Sequence, residues 1–288
     1  MRILLTGANG AFGALAAHEL LRRGHRVAAS MRDPAGRNAA SAAALTAAGA
    51  DVVEIDVTDD ASVGSGTASA VDALGGLDAL INVAGMGTYG LSEGFTSRQL
   101  LDIYDLNVVG IHRMMRASLP AMRVQGAGLV INVSSLLGRL SMPFYGPYSA
   151  TKFAVETLSE TYRVELAQFG VDVVLVEPGG FKTTWIESLV QPADAASLTG
   201  YGAFADAPAQ TLAAVDALLD ANPAQDPGKV ATAIADLVEM PAGQRPVRTV
   251  IDFMGMAEAV LAMNERLSEA TQGIYRGFGM DGLLKLAT

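Results

Sequence analysis

The chain has 288 residues, half of them hydrophobic, with a net charge of -10 and no cysteine. That length supports one large α/β domain with a sizeable core, the acidic balance argues against nucleic acid or an anionic membrane as partner, and the absence of thiols excludes disulfides and thiolate chemistry. No uninterrupted apolar stretch reaches the ~18 residues of a membrane span, and His18, His25 and His112 are too scattered for a metal site, so a cytoplasmic protein without bound metal is expected.

Apolar runs alternate with amphipathic stretches from the first residue. Met1 to Gly7 leads straight into a glycine-rich turn and reads as a strand, not a leader. In chain order the pattern predicts strand Arg2–Thr6, helix Phe12–Arg23, strand Arg26–Met31, helix Ser41–Ala48, strand Asp51–Ile55 and helix Ala61–Leu74. Strand Ala79–Val83, helix Gln99–Met122, strand Gly128–Val133, helix Ser149–Phe169, strand Val171–Glu177, helix Lys229–Met240 and strand Val247–Asp252 follow. Short apolar strands alternating with helices predict βαβ units in a doubly wound, parallel, seven-stranded sheet of the Rossmann type, one domain over residues 1–288. Residues 185–228 break the rhythm: no strand pattern appears, and Pro192, Pro208, Pro223 and Pro227 prevent one long helix. A stretch of that length suggests a lid over a substrate. The tail predicts a helix over Gly255–Thr271 and a shorter one near Asp281–Lys285, a helical extension spanning 255–288.

Two constellations carry chemistry. Thr6-Gly7-Ala8-Asn9-Gly10-Ala11-Phe12-Gly13 joins the first strand to the first helix. Phosphates bind backbone N–H groups at a helix N-terminus where no Cβ blocks the approach. Gly7 permits the tight turn, Gly10 the close approach and Gly13 the packing of helix on sheet, which marks a dinucleotide site. Farther on, Tyr148 and Lys152 stand four apart and share a helical face. A cation beside a phenol favours phenolate and lowers its pKa from roughly 10, suiting the tyrosine to acid–base work. Ser135, thirteen positions upstream, offers a hydroxyl to hold a carbonyl or alcohol oxygen.

With these motifs in this order, the chain resembles a short-chain dehydrogenase/reductase over residues 1 to about 184. The resemblance implies a catalytic tetrad of Asn107, Ser135, Tyr148 and Lys152, with the family's spacing selecting Ser135 over Ser134. It implies cofactor contacts from Gly7, Asn9, Gly10, Ala11, Phe12 and Gly13, and an adenine contact at Asp56 and Val57. Asn82, Ala84 and Gly85 match the family's Asn-Asn-Ala-Gly turn, with Val83 in place of the second asparagine. Pro178, Gly179, Phe181 and Thr183 lie in a segment similar to the turn holding the nicotinamide, whose ribose Tyr148 and Lys152 would also contact. One departure stands out. The middle glycine is Gly10, where the classical members place it at the position of Ala11; that spacing belongs to the extended, sugar-nucleotide branch. The serine and tyrosine segments follow the classical pattern, so the chain reads as classical with an atypical loop.

Cofactor choice turns on the end of the second strand. Met31 occupies the place of the acid that would bond the ribose of NAD, and Arg32 follows it. A guanidinium suits a 2′-phosphate, which points to NADP, with NAD the alternative. The pocket should draw on Met86, Tyr89, Leu136, Leu137, Met142, Phe144, Tyr145, Trp185, Ile186 and Leu189. That lining fits an uncharged, largely apolar ketone or secondary alcohol, provided Lys182 points elsewhere. Expected, then, is NADP-dependent hydride transfer with Tyr148 as acid and base, Ser135 polarising the oxygen and Asn107 holding a water that refills the proton. The alternatives are an NAD-dependent alcohol dehydrogenase, a sugar-nucleotide epimerase or dehydratase, and a non-catalytic NADP-sensing protein. Ile103, Leu106, Val109, Gly110, Met114 and Leu119 are too many apolar residues for one narrow stripe, so a homodimer or homotetramer is expected through the helices around Gln99–Met122 and Ser149–Phe169.

Overall fold

The computed structural model describes residues 1–287; Thr288, the last residue of the expected extension, lies outside them. Strands β1 (Arg2–Thr6), β2 (Arg26–Met31), β3 (Asp51–Glu54), β4 (Ala79–Asn82), β5 (Gly128–Val133), β6 (Val171–Pro178) and β7 (Arg248–Ile251) form one sheet. Its order is β3-β2-β1-β4-β5-β6-β7 and every pairing is parallel. The strands run apolar because both faces are covered, and alternate residues point to opposite faces. Ile3 and Leu5 of β1 join one core with Ala16, Ala17 and Leu20 of α1 (Ala11–Arg22), Leu45 of α2 (Ala39–Ala47) and Ile234 of α8 (Gly228–Glu239). Leu4 faces the other way, into a core with Leu74 of α3 (Asp60–Leu74), Met114 of α5 (Gly110–Gln125) and Val155 of α6 (Gly146–Ala167). Strand order reverses between β1 and β4, where a crevice opens at the carboxyl ends of the strands. Thr6, Asn82 and Asn132 stand in register across that rim.

Two expectations need correction, and a third gains detail. The helix expected over Gln99–Met122 is α4 (Ser97–Tyr104), then a π-helical turn over Asp105–Val109, then α5. Such π-turns are rare and gather at functional sites; this one carries Asn107. Residues 185–228 contain a 14-residue helix, α7 (Ala207–Asp220). Pro208 does not prevent it because it lies in the first turn, where no N–H is needed. The apolar residues that suggested a partner subunit are largely used within the chain: Ile103, Gly110, Met114 and Leu119 are buried and Leu106 packs on the core, which leaves Val109 exposed.

The segment 185–228 is tied to the turn after β4 by a bridge between Thr88 and Val190. The extension begins as α9 (Ala257–Gly277), which packs on β7, and ends with Ala287 donating its N–H to the Ala167 carbonyl at the end of α6. Among the described residues no helix is long and apolar enough to cross a membrane.

Candidate active site

The glycine turn fits a pyrophosphate. Gly7 has φ +71°, and a Cβ there would stand 2.7 Å from Ala84 Cα. At Gly13 a Cβ would come within 2.1 Å of the Gly7 oxygen, so α1 rests directly on the turn. Gly10 precedes α1, whose start has no side-chain cap and no acid in its first turn, leaving its N–H groups and dipole for an anion. Ala11 and Phe12 are half-buried at that start, and Asn9 is exposed, its amide donating to Asn38 Oδ1 at 3.2 Å. Thr6 Oγ1 accepts the N–H groups of Val83 and Ala84, which locks the Ala84–Gly85 turn against the glycine turn. Asn82 turns inward, donating to Asn132 Oδ1 at 2.8 Å, and is buried.

At the carboxyl ends of β2 and β3, Arg32 is exposed and sits 3.8 Å from the Asp56 carboxylate. Burial would raise that carboxyl, but hydrogen bonds from Thr58 and the nearby Arg32 and Arg37 hold it below its ordinary value. Arg37, which the sequence reading missed, is a second cation beside this position. Val57 packs against Gly110 of α5. At the nicotinamide end, Phe181 meets Phe12 edge to face at 5.7 Å, and Gly179 has no room for a Cβ against Asp252. Pro178 closes β6, and Thr183 Oγ1 accepts the Trp185 N–H.

The four expected catalytic residues come together from the π-turn, the end of β5 and the start of α6. Ser135 follows β5; its Oγ accepts the Leu137 N–H at 3.1 Å and donates to the Pro178 carbonyl at 3.4 Å. Tyr148 lies in the first turn of α6, its N–H held by Thr88 Oγ1 at 3.1 Å. Lys152, one turn later, donates to the Val133 carbonyl at 2.9 Å and stands 5.7 Å from the Tyr148 ring centre. Asn107 accepts the Met86 N–H and donates to the Met86 carbonyl and to Thr151 Oγ1, at 2.9–3.0 Å. Its side chain thereby pins the turn after Gly85, and Gly85 is close to both Asn107 Oδ1 and Lys152 Nζ.

The electrostatics differ from the expectation. Burial pushes the Tyr148 phenol up, with the Ser135 hydroxyl pulling the other way and Tyr145 adding to the rise; Lys152 is not among the causes. Burial likewise pulls Lys152 down to about 8, against the attraction of Glu156. Desolvation is the leading cause at both groups.

Aromatic rings surround the phenol. Trp185 meets Tyr148 edge to face at 5.4 Å, Tyr145 stands 6.4 Å away, and Tyr89 contacts both Tyr145 and Phe144. Phe144 holds φ +70°, a left-handed backbone uncommon for a bulky residue. Trp185 and Leu189 pack over Gly87, with Met86 and Ile186 half-buried nearby in sequence. Leu136 is buried, Leu137 half-buried and Met142 exposed, so these three are less uniform than the pocket expected of them. Lys182 pairs with Asp216 and Asp220 of α7 at 2.9 Å, pointing to the lid helix.

The family model described as short chain dehydrogenase matches residues 1–194, and the chain belongs to that family. It is 37% identical over 186 residues to a 3-ketodihydrosphingosine reductase of Bacteroides thetaiotaomicron, a match covering 65% of this chain and 66% of that one. In the first curated relatives the matched stretch spans about two thirds of their length or less. A crystal structure of a short-chain dehydrogenase from Streptomyces avermitilis superposes with a TM-score of 0.74 at 30% identity, covering 96% and 97% of the two chains. An actinorhodin polyketide ketoreductase crystallised with NADPH superposes with a TM-score of 0.71 at 25% identity, covering 89% and 97%.

Proposed function

We propose that this chain is an NADP-dependent oxidoreductase acting on an apolar ketone or the corresponding secondary alcohol. The observation that carries the reading is the meeting of Ser135, Tyr148 and Lys152 at the carboxyl edge of the sheet, beside an uncapped helix start and its glycine turn. A bound nicotinamide would supply or accept the hydride at the carbonyl carbon. The N–H groups at the start of α1 would hold its pyrophosphate, and Arg32 and Arg37 would serve a 2′-phosphate. Phe181 and the Pro178–Thr183 turn would wall the nicotinamide. Ser135 Oγ donates to the substrate oxygen and fixes it beside the phenol. Tyr148 gives that oxygen its proton in reduction and removes it in oxidation. Burial keeps the phenol protonated at neutral pH, which suits the reductive direction. Lys152 supports the phenolate formed when the proton leaves.

The substrate class rests on the aromatic wall of Tyr89, Phe144, Tyr145 and Trp185, with Lys182 turned to the lid. The name of the Bacteroides relative, a keto-group reductase, agrees with it. Self-association is carried by Leu101 and Val109 on the α4–α5 segment and Phe153 on α6, which remain exposed. A turnover panel of ketones and secondary alcohols with NADPH, NADH and their oxidised forms tests the reading. Reduction of apolar ketones with NADPH preferred supports it; turnover of sugar nucleotides alone, or of nothing with cofactor bound, overturns it.

A further inference from the structure

Directly beneath Lys152 lies a buried polar cluster that the reaction outlined above does not use. Glu156 sits one turn beyond Lys152 on α6 and is 2% exposed; Glu177, on β6, is fully buried. Arg248 of β7 reaches both, its Nε lying 2.8 Å from Glu156 Oε2 and 3.3 Å from Glu177 Oε1, so the two carboxyl groups are neighbours around one N–H. The other side of Arg248 pairs with Glu160 at 2.8 Å. Asn264 of α9 donates to Glu177 Oε2 at 2.7 Å and accepts from Arg139 Nε at 2.7 Å, while Arg139 itself stays 3.9 Å from Glu177. The polar groups of the cluster come from distant segments: Glu156 and Glu160 from α6, Arg139 from the loop after β5, Glu177 from β6, Arg248 from β7 and Asn264 from α9.

Among the described residues Glu156 Oε1 accepts no hydrogen bond, and Glu177 Oε1 has only the looser approaches of Arg248 Nε at 3.3 Å and Arg139 Nε at 3.9 Å. A buried carboxylate oxygen without a donor is costly, and two adjacent ionised carboxylates are costlier still. One proton held on Glu177 removes the second charge and gives the pair a donor of its own. Glu177 is the group suited to carry it, since burial, reinforced by repulsion from Glu156, pushes its carboxyl well above the ordinary range. Glu156, which accepts the short contact from Arg248, then remains the anion nearest the lysine.

We propose that Glu156 and Glu177 form a carboxylate–carboxylic acid pair sharing one proton, and that Glu156 acts through it as a positioning residue for Lys152. The proposal rests on the reading of Lys152 as part of the reaction. Its consequence is asymmetric. Glu156 opposes the desolvation that draws Lys152 down to about 8, so its charge keeps the ammonium intact at neutral pH. Glu177 contributes a neutral donor, which an amide can replace. Asn264 links the pair to the C-terminal helix, so the docking of α9 supports the same lysine.

The test uses Glu156→Gln and Glu177→Gln in the full chain, with pH profiles of kcat/KM. Wild type should lose activity as pH rises through about 8; Glu156→Gln should move that limb down by about one unit, and Glu177→Gln should leave it within a few tenths. An equal shift in both variants would mean that Glu177 is ionised and overturn the proposal, as would an unmoved limb in a folded Glu156→Gln. A second measurement does not need the Glu156 variant to fold or the enzyme to turn over. Difference infrared spectra of wild type against Glu177→Gln should show the carbonyl stretch of a protonated, buried carboxylic acid in wild type only, and absence of that band at neutral pH refutes the shared proton. An inactive wild type with the band present would instead fault the oxidoreductase reading and leave the pair standing.

Discussion

Replacing Gly13 and Gly10 by alanine separates the two tasks of the glycine turn. At Gly13 the added methyl would stand 2.1 Å from the Gly7 oxygen, 2.8 Å from its carbonyl carbon and 3.0 Å from Ala8 Cα. These are backbone atoms of a turn that cannot rotate away, so α1 must lift from the sheet. Forcing a methyl into such packing costs about 1–3 kcal/mol, which lowers the melting temperature by roughly 3–8 °C for a chain of this size. At Gly10 the nearest atom is the Gly7 oxygen at 3.4 Å, an ordinary contact, and φ is -84°, open to any residue. Gly10→Ala should therefore melt at or slightly above wild type, helped by the smaller freedom of the unfolded chain, worth about 0.4–1 kcal/mol. Its methyl faces the place assigned to the pyrophosphate. Weakening one amide–phosphate hydrogen bond, about 1 kcal/mol, should loosen NADPH roughly fivefold. Scanning calorimetry gives the first number and isothermal titration the second. If Gly13→Ala melts with wild type, or Gly10→Ala binds NADPH as tightly as wild type, the turn is not the packed phosphate site described.

Arg32→Asp should move cofactor preference from NADP toward NAD at least tenfold, since a charge-assisted contact of about 1.5–3 kcal/mol is replaced by repulsion; binding titrations with both cofactors decide it, and a wild type that already prefers NAD contradicts the assignment. Ser135→Ala should abolish most turnover while Ser134→Ala is mild, because Ser134 Oγ is buried without a partner and Ser135 Oγ faces the phenol; the reverse order would refute the spacing. Sedimentation at micromolar concentration should show a species heavier than the 29.8 kDa protomer, returned to that mass by Val109→Glu with Phe153→Glu; a wild type that is monomeric already would sink the interface.

Much of the architecture was legible because buried parallel strands are short, apolar and punctuated by glycine or charge: β1, β2 and β5 have the expected bounds. What escaped the sequence depends on geometry between distant segments. Pro208 reads as a breaker until the helix start is known, and a π-turn leaves no periodic trace that distinguishes it from the helices flanking it. Asn107, Ser135, Tyr148 and Lys152 were named from motif and spacing and stand near one another in the fold, but their surroundings come from several elements that spacing does not show. Helical spacing brought Lys152 to Tyr148, but the balance between their attraction and their burial depends on β5, β6 and the aromatic wall. Asn107 was expected to hold a water; the grip of its side chain on Met86 and Thr151 joins segments whose approach spacing does not show. The Glu156–Glu177 pair was invisible because its members come from α6 and β6, and their ligands from β7 and α9.

The central claim is that Tyr148 moves the proton. Tyr148→Phe keeps the ring that packs on Trp185 and Tyr145 and removes only the hydroxyl. NADPH affinity by titration should stay within about twofold of wild type while the chemical step, followed in single-turnover reduction of an apolar ketone, falls by roughly 10²–10⁴-fold. A chemical step slowed less than tenfold, with cofactor bound normally, would contradict the account.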